Sequence, residues 1–511
     1  MAKVIGFAFS FFLPLIIVRY LTQEAVGHYR ESFQVITNAV MILPLGFSMS
    51  AYYFLARESE RRSAAIINIL LFNFVVGGIA FLLLNLYPEL IGNIFRSPEL
   101  TRLAPMIGVV IWIWIFSTFL EMVPIANQEA KVATAFIITA SVSKTVLLGS
   151  AVLVFATVDA FLYAAIIQGV IQTALLLNYL RSRFPGYWRK FDRRFFVEQM
   201  TYALPFGLTG ILWVAQSDLH NYFVGYQFSS ADFAIYAYGC FQLPLISMLY
   251  ESVTSVLIPR MNTLQLVGDH EEMIRLTARA MQKLAFFYFP IYAFLLITSR
   301  TFIVTLFTEE YAASASVFVI NLTLLPFSIL ITDPIIRSFK ELGRFFLLTR
   351  AFVLAGLVAV LYFGLGHFSL TGVIAVAVGA ILVEKAITET MVIRKLGLGL
   401  RHLPLLTNVA RTAGITLLAG GVTWLVYRNA HVSLLTAGKL LAVNALGIVR
   451  PGLIDFVSGS VVLLVAAAVF IPIYLIAASF IGVIEDDEKQ AVRQFFRRIF
   501  QGRDSTSIAE V

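Results

Sequence analysis

Lys144 stands in the middle of a long apolar stretch. An amine there can bind phosphate oxygens through charge-assisted hydrogen bonds. A charge inside a membrane span costs about 2.5–3.5 kcal/mol on insertion scales, so it faces a cavity or a partner. Glu121, on the preceding apolar stretch, is the partner that a structural ion pair would give it. Arg19 is placed either to meet a lipid headgroup or to snorkel at a membrane edge. Asp218 sits among Gln216, Ser217, His220 and Asn221, and Glu251 and Glu121 are further carboxylates inside apolar runs. Carboxylates buried without a fixed cation can carry protons, so these three are candidates for ion coupling, with hydrogen bonding to packed neighbours as the structural alternative. Tyr222 and Tyr226, with Tyr236 and Tyr238, offer ring faces that stack on pyranose sugars or form an interfacial aromatic belt. Lys385 with Glu389, and Asp333 with Arg337, are spaced to pair along one helix face.

The elements that carry these residues are membrane helices. Of 511 residues, 59% are hydrophobic and 13% charged, too little charge to cover a soluble domain of this length. A spanning helix needs about 20 mainly apolar residues. Fourteen stretches qualify: 4–21, 33–55, 64–87, 103–126, 132–156, 158–180, 203–227, 233–258, 283–307, 314–336, 345–365, 370–393, 409–428 and 456–480. The first is interrupted by Pro14, and the apolar run at Val4–Val18 lacks the cleavage site of a signal peptide. Ser433–Val449 reads as an amphipathic helix at the interface, and the tail Glu485–Val511 as a cytoplasmic amphipathic segment. The single cysteine, Cys240, reads as a small buried residue, and no Cys/His cluster has metal-ligand spacing.

Placing the N-terminus inside puts 27 Lys and Arg on the inner side and 8 on the outer, with 3 inside spans. That bias orients both termini to the cytoplasm and requires an even number of spans. It also accounts for the net charge of +8 without nucleic acid. The longest basic loop, 181–200, mixes arginine with aromatics. It reads as a surface linker, a headgroup patch or a docking site for a partner.

That loop divides a repeat. RYLTQEAVGHYRESFQ (19–34) is echoed by GYQFSSADFAIYAYGCFQ (225–242). Tyr29 stands opposite Tyr236, and Phe33-Gln34 opposite Phe241-Gln242. With six spans before the loop and six after, two homologous lobes are expected, with a substrate site between them. Pro44, Pro205, Pro244, Pro290 and Pro326 are placed as hinges or packing kinks.

These stretches also carry a family resemblance. VRYLTQEAVGHYRESFQVI (18–36), LPFGLTGILWVAQSDLHNYFVGYQFSSADFAIYAYGCFQLP (204–244) and SVLIPRMNTL (255–264) resemble the polysaccharide transporter (oligosaccharide flippase) family. That family belongs to the multidrug, oligosaccharidyl-lipid and polysaccharide exporter superfamily. Ala234 departs from the pattern, standing where the second lobe usually has a turn glycine. The resemblance implies an all-α polytopic membrane protein of about 14 transmembrane helices, with two six-helix lobes around a central cavity plus two C-terminal helices. On that pattern, residues 1–180 are the N-terminal lobe, 181–200 the linker, 201–395 the second lobe, 396–480 the two extra helices and 481–511 the tail.

It further implies a flippase in the cell inner membrane that moves a polyprenyl-pyrophosphate-linked oligosaccharide outward by alternating access. A monomer is expected because the cavity lies within one chain; no cofactor is expected, and membrane lipids and a polymerase or other assembly proteins are the candidate partners. For that cargo, Lys144, Arg19, Tyr222 and Tyr226 are the cavity candidates. A drug exporter or another lipid-linked-precursor exporter of the same superfamily is the alternative, the drug exporter favouring a cavity lined by carboxylates. A glycosyltransferase or polymerase fits less well, since the loops reach only about 20–27 residues and scatter their charges, and no Walker loop is present.

Overall fold

The structure, a computed structural model, describes residues 12–57 and 59–483. The first part of the first expected span, and the amphipathic tail read at 485–511, lie outside the described residues. Within them the chain is helical, with no strand. In order come α1 (12–20), α2 (Gln23–Ile42), α3 (Ala51–Arg57), α4 (Arg62–Leu86), α5 (Glu89–Phe95), α6 (Pro98–Ser117) and α7 (Phe119–Ala126). Then follow α8 (Ala130–Val154), α9 (Val158–Arg183), α10 (Arg193–Gln227), α11 (Ser230–Gly239), α12 (Pro244–Val267) and α13 (His270–Phe307). The last are α14 (Ser314–Leu322), α15 (Leu324–Phe327), α16 (Asp333–Ser338), α17 (Lys340–Phe363), α18 (Leu370–Leu396), α19 (Thr407–Leu440) and α20 (Pro451–Phe480).

Short polar side chains start these helices where apolar runs begin. Thr22, Ser97, Thr157, Asp192 and Ser229 each accept a hydrogen bond from the backbone N–H three residues on. Each satisfies one orphan donor of the first turn. Thr22 and Ser229 occupy matching places in the repeat and share φ −68°, with ψ of 157° and 160°. The two copies then diverge, because α2 runs for 20 residues and α11 for 10.

Both copies bend near a proline. The α2 segment turns by 44° between Ile42 and Phe47, around Pro44, and α11 meets α12 at 48° just before Pro244. A proline ring cannot donate to the helix ladder, which frees the chain to change direction. Gly46 adopts φ 71° at the first bend, and a Cβ there would stand 2.8 Å from the nitrogen of Gly207. Two glycines thus let the bend press directly on the backbone of α10.

Nine helices are long and apolar enough to cross a membrane, or eleven counting each bent pair as one span, among the described residues. Of the other three expected spans, the first falls partly outside the described residues. The seventh lies in α10, whose polar residues dilute its apolar content. The tenth is a shorter apolar helix, Ser314–Phe327. The expected interfacial helix at Ser433–Val449 is instead largely a continuation of α19, which passes into a π-turn at Leu441–Ala445. No breaker interrupts the run before Gly447, where φ turns positive.

Two compact units emerge. One gathers Met1–Leu245, Ile303–Asn321 and Lys340–Thr388. In it α4 packs on α6, α6 and α8 on α9, α2 on α6 and α11, and α10 on α17. Its core includes Phe47, Phe54, Phe119 and Phe195, all at most 2% exposed. At one end, Arg102 at the start of α6 binds Glu99 at 2.6 Å and Asp159 of α9 at 2.7 Å. The other unit gathers Ile246–Phe302, Leu322–Phe339 and Glu389–Val511. There α19 and α20 form a long hairpin, and Phe470 and Tyr474 pack against Phe286 and Phe294.

Candidate functional site

The helix period of α2 puts Gln34 and Asn38 on one face, and that of α10 puts Asp218, Asn221 and Tyr222 on another. The two faces meet. Asn38 Nδ2 donates to the Tyr222 hydroxyl at 3.1 Å, and Asn221 Nδ2 donates to Gln34 Oε1 at 3.3 Å. The Asp218 carboxylate lies beside the amides of Gln34 and Asn38. Two residues singled out in the sequence, Asp218 and Tyr222, therefore belong to one polar seam. Tyr226 sits apart from it, under Arg96, whose guanidinium carbon is 3.9 Å from the ring centre.

Lys144 is exposed on α8, with its ammonium 4.8 Å from the ring centre of Trp114. The Trp114 indole is fixed by donating to the Ala165 carbonyl at 2.9 Å. Glu121 is exposed on α7 and interacts with Lys144 through space. Among the described residues, neither hydrogen bond nor ion pair holds Lys144 at contact distance. A cation resting on an aromatic face with open donors can take an anionic oxygen without first giving up a partner.

Arg19 has other work. Its guanidinium donates to the carbonyls of Leu15 at 2.6 Å, Leu306 at 2.8 Å and Thr305 at 2.8 Å. The last two belong to the final turn of α13, whose carbonyls have no partner within the helix. Glu251 is exposed on α12, in the second compact unit. Tyr236 and Tyr238 are fully buried rather than arrayed as an interfacial belt. The Tyr236 hydroxyl lies 2.8 Å from His220 Nδ1, and Arg30 covers the ring of Tyr238 at 4.5 Å.

Two charged clusters escaped the sequence reading. Arg350 on α17 donates to Glu384 on α18 at 2.9 Å, and Gln216 of α10 donates to the other oxygen of the same carboxylate. Arg350 also lies 4.8 Å from the ring centre of Trp213 and 4.5 Å from that of Phe346. The signal was present, as two opposite charges inside neighbouring apolar stretches. The second cluster centres on Glu31, which is 0% exposed on α2, with His28 Nδ1 at 3.3 Å.

A model of the family described as "Polysaccharide biosynthesis protein" matches residues 16–316, more than half of the chain. The chain belongs to that family. This member of the polysaccharide biosynthesis protein family also shares its fold with solved transporters. A lipid II flippase, MurJ, in an inward closed conformation aligns with a TM-score of 0.69 at 14% identity, over 94% of this chain and 97% of that one. An inward-facing multidrug resistance MATE transporter of the MOP superfamily aligns at 0.62 and 17% identity, over 75% and 93%. A MOP superfamily transporter from Pyrococcus furiosus aligns at 0.55 and 17% identity, over 78% and 94%. MOP is the superfamily that the sequence motifs resemble, and the all-α, multi-pass membrane architecture is the one expected. No curated protein matches the chain.

Proposed function

We propose that this protein is a flippase that carries a polyprenyl-pyrophosphate-linked oligosaccharide, a repeat unit of O-antigen, capsule or exopolysaccharide, from the cytoplasmic to the outer face of the inner membrane. Both termini face the cytoplasm, as the Lys and Arg bias supports. Two six-helix lobes, 1–180 and 201–395, rock about a central cavity, and 396–480 adds two helices. The protein is a monomer, with membrane lipids and polysaccharide assembly proteins as its neighbours. The observation that carries the reading is Lys144: a cation with open donors inside a span of a polysaccharide-family protein. In this reading Lys144 takes a pyrophosphate oxygen, and Trp114 holds the ammonium in place.

The test is deletion in the native host, followed by analysis of lipid-linked glycans in spheroplasts. Accumulation of a polyprenyl-linked oligosaccharide on the cytoplasmic face, corrected by wild type and not by Lys144→Ala, is the expected result. Correction by Lys144→Ala rejects the role of that residue. Normal surface polysaccharide together with new sensitivity to cationic drugs replaces the proposal with a drug exporter.

A further inference from the structure

Trp112, Trp114 and Trp213 all stand inside stretches read as spans, but their indoles are placed differently. Trp112 Nε1 donates to the Phe74 carbonyl at 3.0 Å, and Trp114 Nε1 to that of Ala165 at 2.9 Å. Trp213 is 53% exposed, and among the described residues its indole N–H has no acceptor. It lies close to the middle of the stretch 203–227, away from the ends where an interfacial tryptophan keeps its N–H in water. Hydrocarbon at that depth offers the N–H nothing.

The ring is held by a buried network. Trp213 and Gln216 stand three residues apart on α10, so both reach toward the same neighbours. Arg350 of α17 lies 4.8 Å from the ring centre of Trp213 and 4.5 Å from that of Phe346. The same guanidinium donates to Glu384 of α18 at 2.9 Å, and Glu384 also accepts from Gln216. The indole and the amide of α10 are thereby tied to one ion pair, which fixes the ring before any ligand arrives. Arg350 Nε and Gln216 Oε1 are buried without a hydrogen-bond partner among the described residues, so polar capacity remains unused beside the ring. The surface next to it is open: a Cβ on Gly210, one turn earlier, would meet nothing within 4 Å.

The chemistry of this place selects its ligand. An acyl chain covers the ring but leaves the N–H unmade. A phosphate accepts from the N–H but has no apolar face to lay on the ring. A pyranose has both, a C–H face that stacks on an indole and a rim of hydroxyls that accept from its N–H. We propose that Trp213 is a carbohydrate subsite: a sugar ring of the cargo stacks on the indole, and one of its hydroxyls accepts from Nε1. This inference rests on the flippase reading above and adds to it a contact for the sugar, separate from the phosphate contact assigned to Lys144.

The first test needs no cargo. The full chain is placed in lipid nanodiscs, and the emission of Trp213 is taken as the difference between wild type and Trp213→Phe. Acrylamide in the water is expected to quench that emission, and phosphatidylcholine with brominated acyl chains is expected to leave it unchanged. Quenching by the brominated chains puts the ring against lipid and overturns the proposal. The second test uses the deletion host, with rates expressed per folded protein. Trp213→Leu should clear lipid-linked oligosaccharide from the cytoplasmic face about tenfold more slowly than wild type, while Trp213→Tyr, which keeps a ring and a donor, should restore most of the rate. A full rate in Trp213→Leu, with wild type correcting the accumulation, overturns the subsite and leaves the flippase standing. No accumulation in the deletion host overturns the flippase reading, and the subsite with it. If Trp213→Leu does not fold, the quenching measurement decides.

Discussion

Lys144 and Arg350 each put a cation inside an apolar span, and each lies 4.8 Å from the ring centre of a tryptophan. Their settings are inverted. Arg350 is 8% exposed and bound to Glu384, while its tryptophan, Trp213, is 53% exposed. Lys144 is exposed, while Trp114 is 8% exposed and anchored to a carbonyl. In one place the protein has buried the charge and left the ring open; in the other it has fixed the ring and left the charge open. The buried guanidinium is needed to keep a carboxylate inside the fold. The open ammonium has the Trp114 ring beside it and, among the described residues, no hydrogen bond or ion pair at contact distance.

This contrast breaks first at Arg350. Arg350→Met strands Glu384 in a buried site and should cost about 3–5 kcal/mol of stability, read as a lowered melting temperature in detergent. Adding Glu384→Met should restore most of it. A melting temperature unchanged in the single variant would mean that the pair does not hold α17 to α18. Next, Arg19→Ala removes three bonds to carbonyls, two of them at the end of α13, and should cost about 2 kcal/mol in the same assay. Lys144→Ala should leave stability within about 0.5 kcal/mol of wild type, yet slow export about tenfold, or about 1.4 kcal/mol. A large loss of stability there would erase the distinction between the two cations. The smallest effect belongs to Tyr226→Phe. It loses an exposed hydrogen bond from Arg96 Nη2 to the hydroxyl but keeps the ring under Arg96, so both stability and export should change by less than about 1 kcal/mol.

What could be read from the sequence was what is local in the chain. Asp333 and Arg337 pair at 2.8 Å because one helical turn brings them together, and their spacing states as much. The bends beside Pro44 and Pro244 follow from a missing donor, and the helix starts at Thr22 and Ser229 follow from their side-chain oxygens. The partners of Arg19 and Glu384 are a different matter. Leu306 lies 287 positions from Arg19, and Arg350 lies 34 from Glu384. Helical spacing gives the face a residue occupies but not which distant helix covers it. Glu31 was passed over because it follows an ordinary polar turn, where a carboxylate is normally solvated; only the packing of α11 on α2 reveals it as buried.

The hairpin of α19 and α20 carries one more consequence. At about 1.5 Å per residue, its 34-residue and 30-residue arms are about 51 and 45 Å long, against a hydrocarbon layer of about 30 Å. Two rods packed along each other cannot both fit upright within that layer. They lean, stand proud of the headgroups, or draw the surrounding acyl chains up to meet them, and each choice costs a fraction of a kcal/mol per ångström of mismatch. The lipids next to this hairpin are thereby made part of the mechanical load on the protein, and the thickness of the host membrane becomes a variable that its resting posture must satisfy.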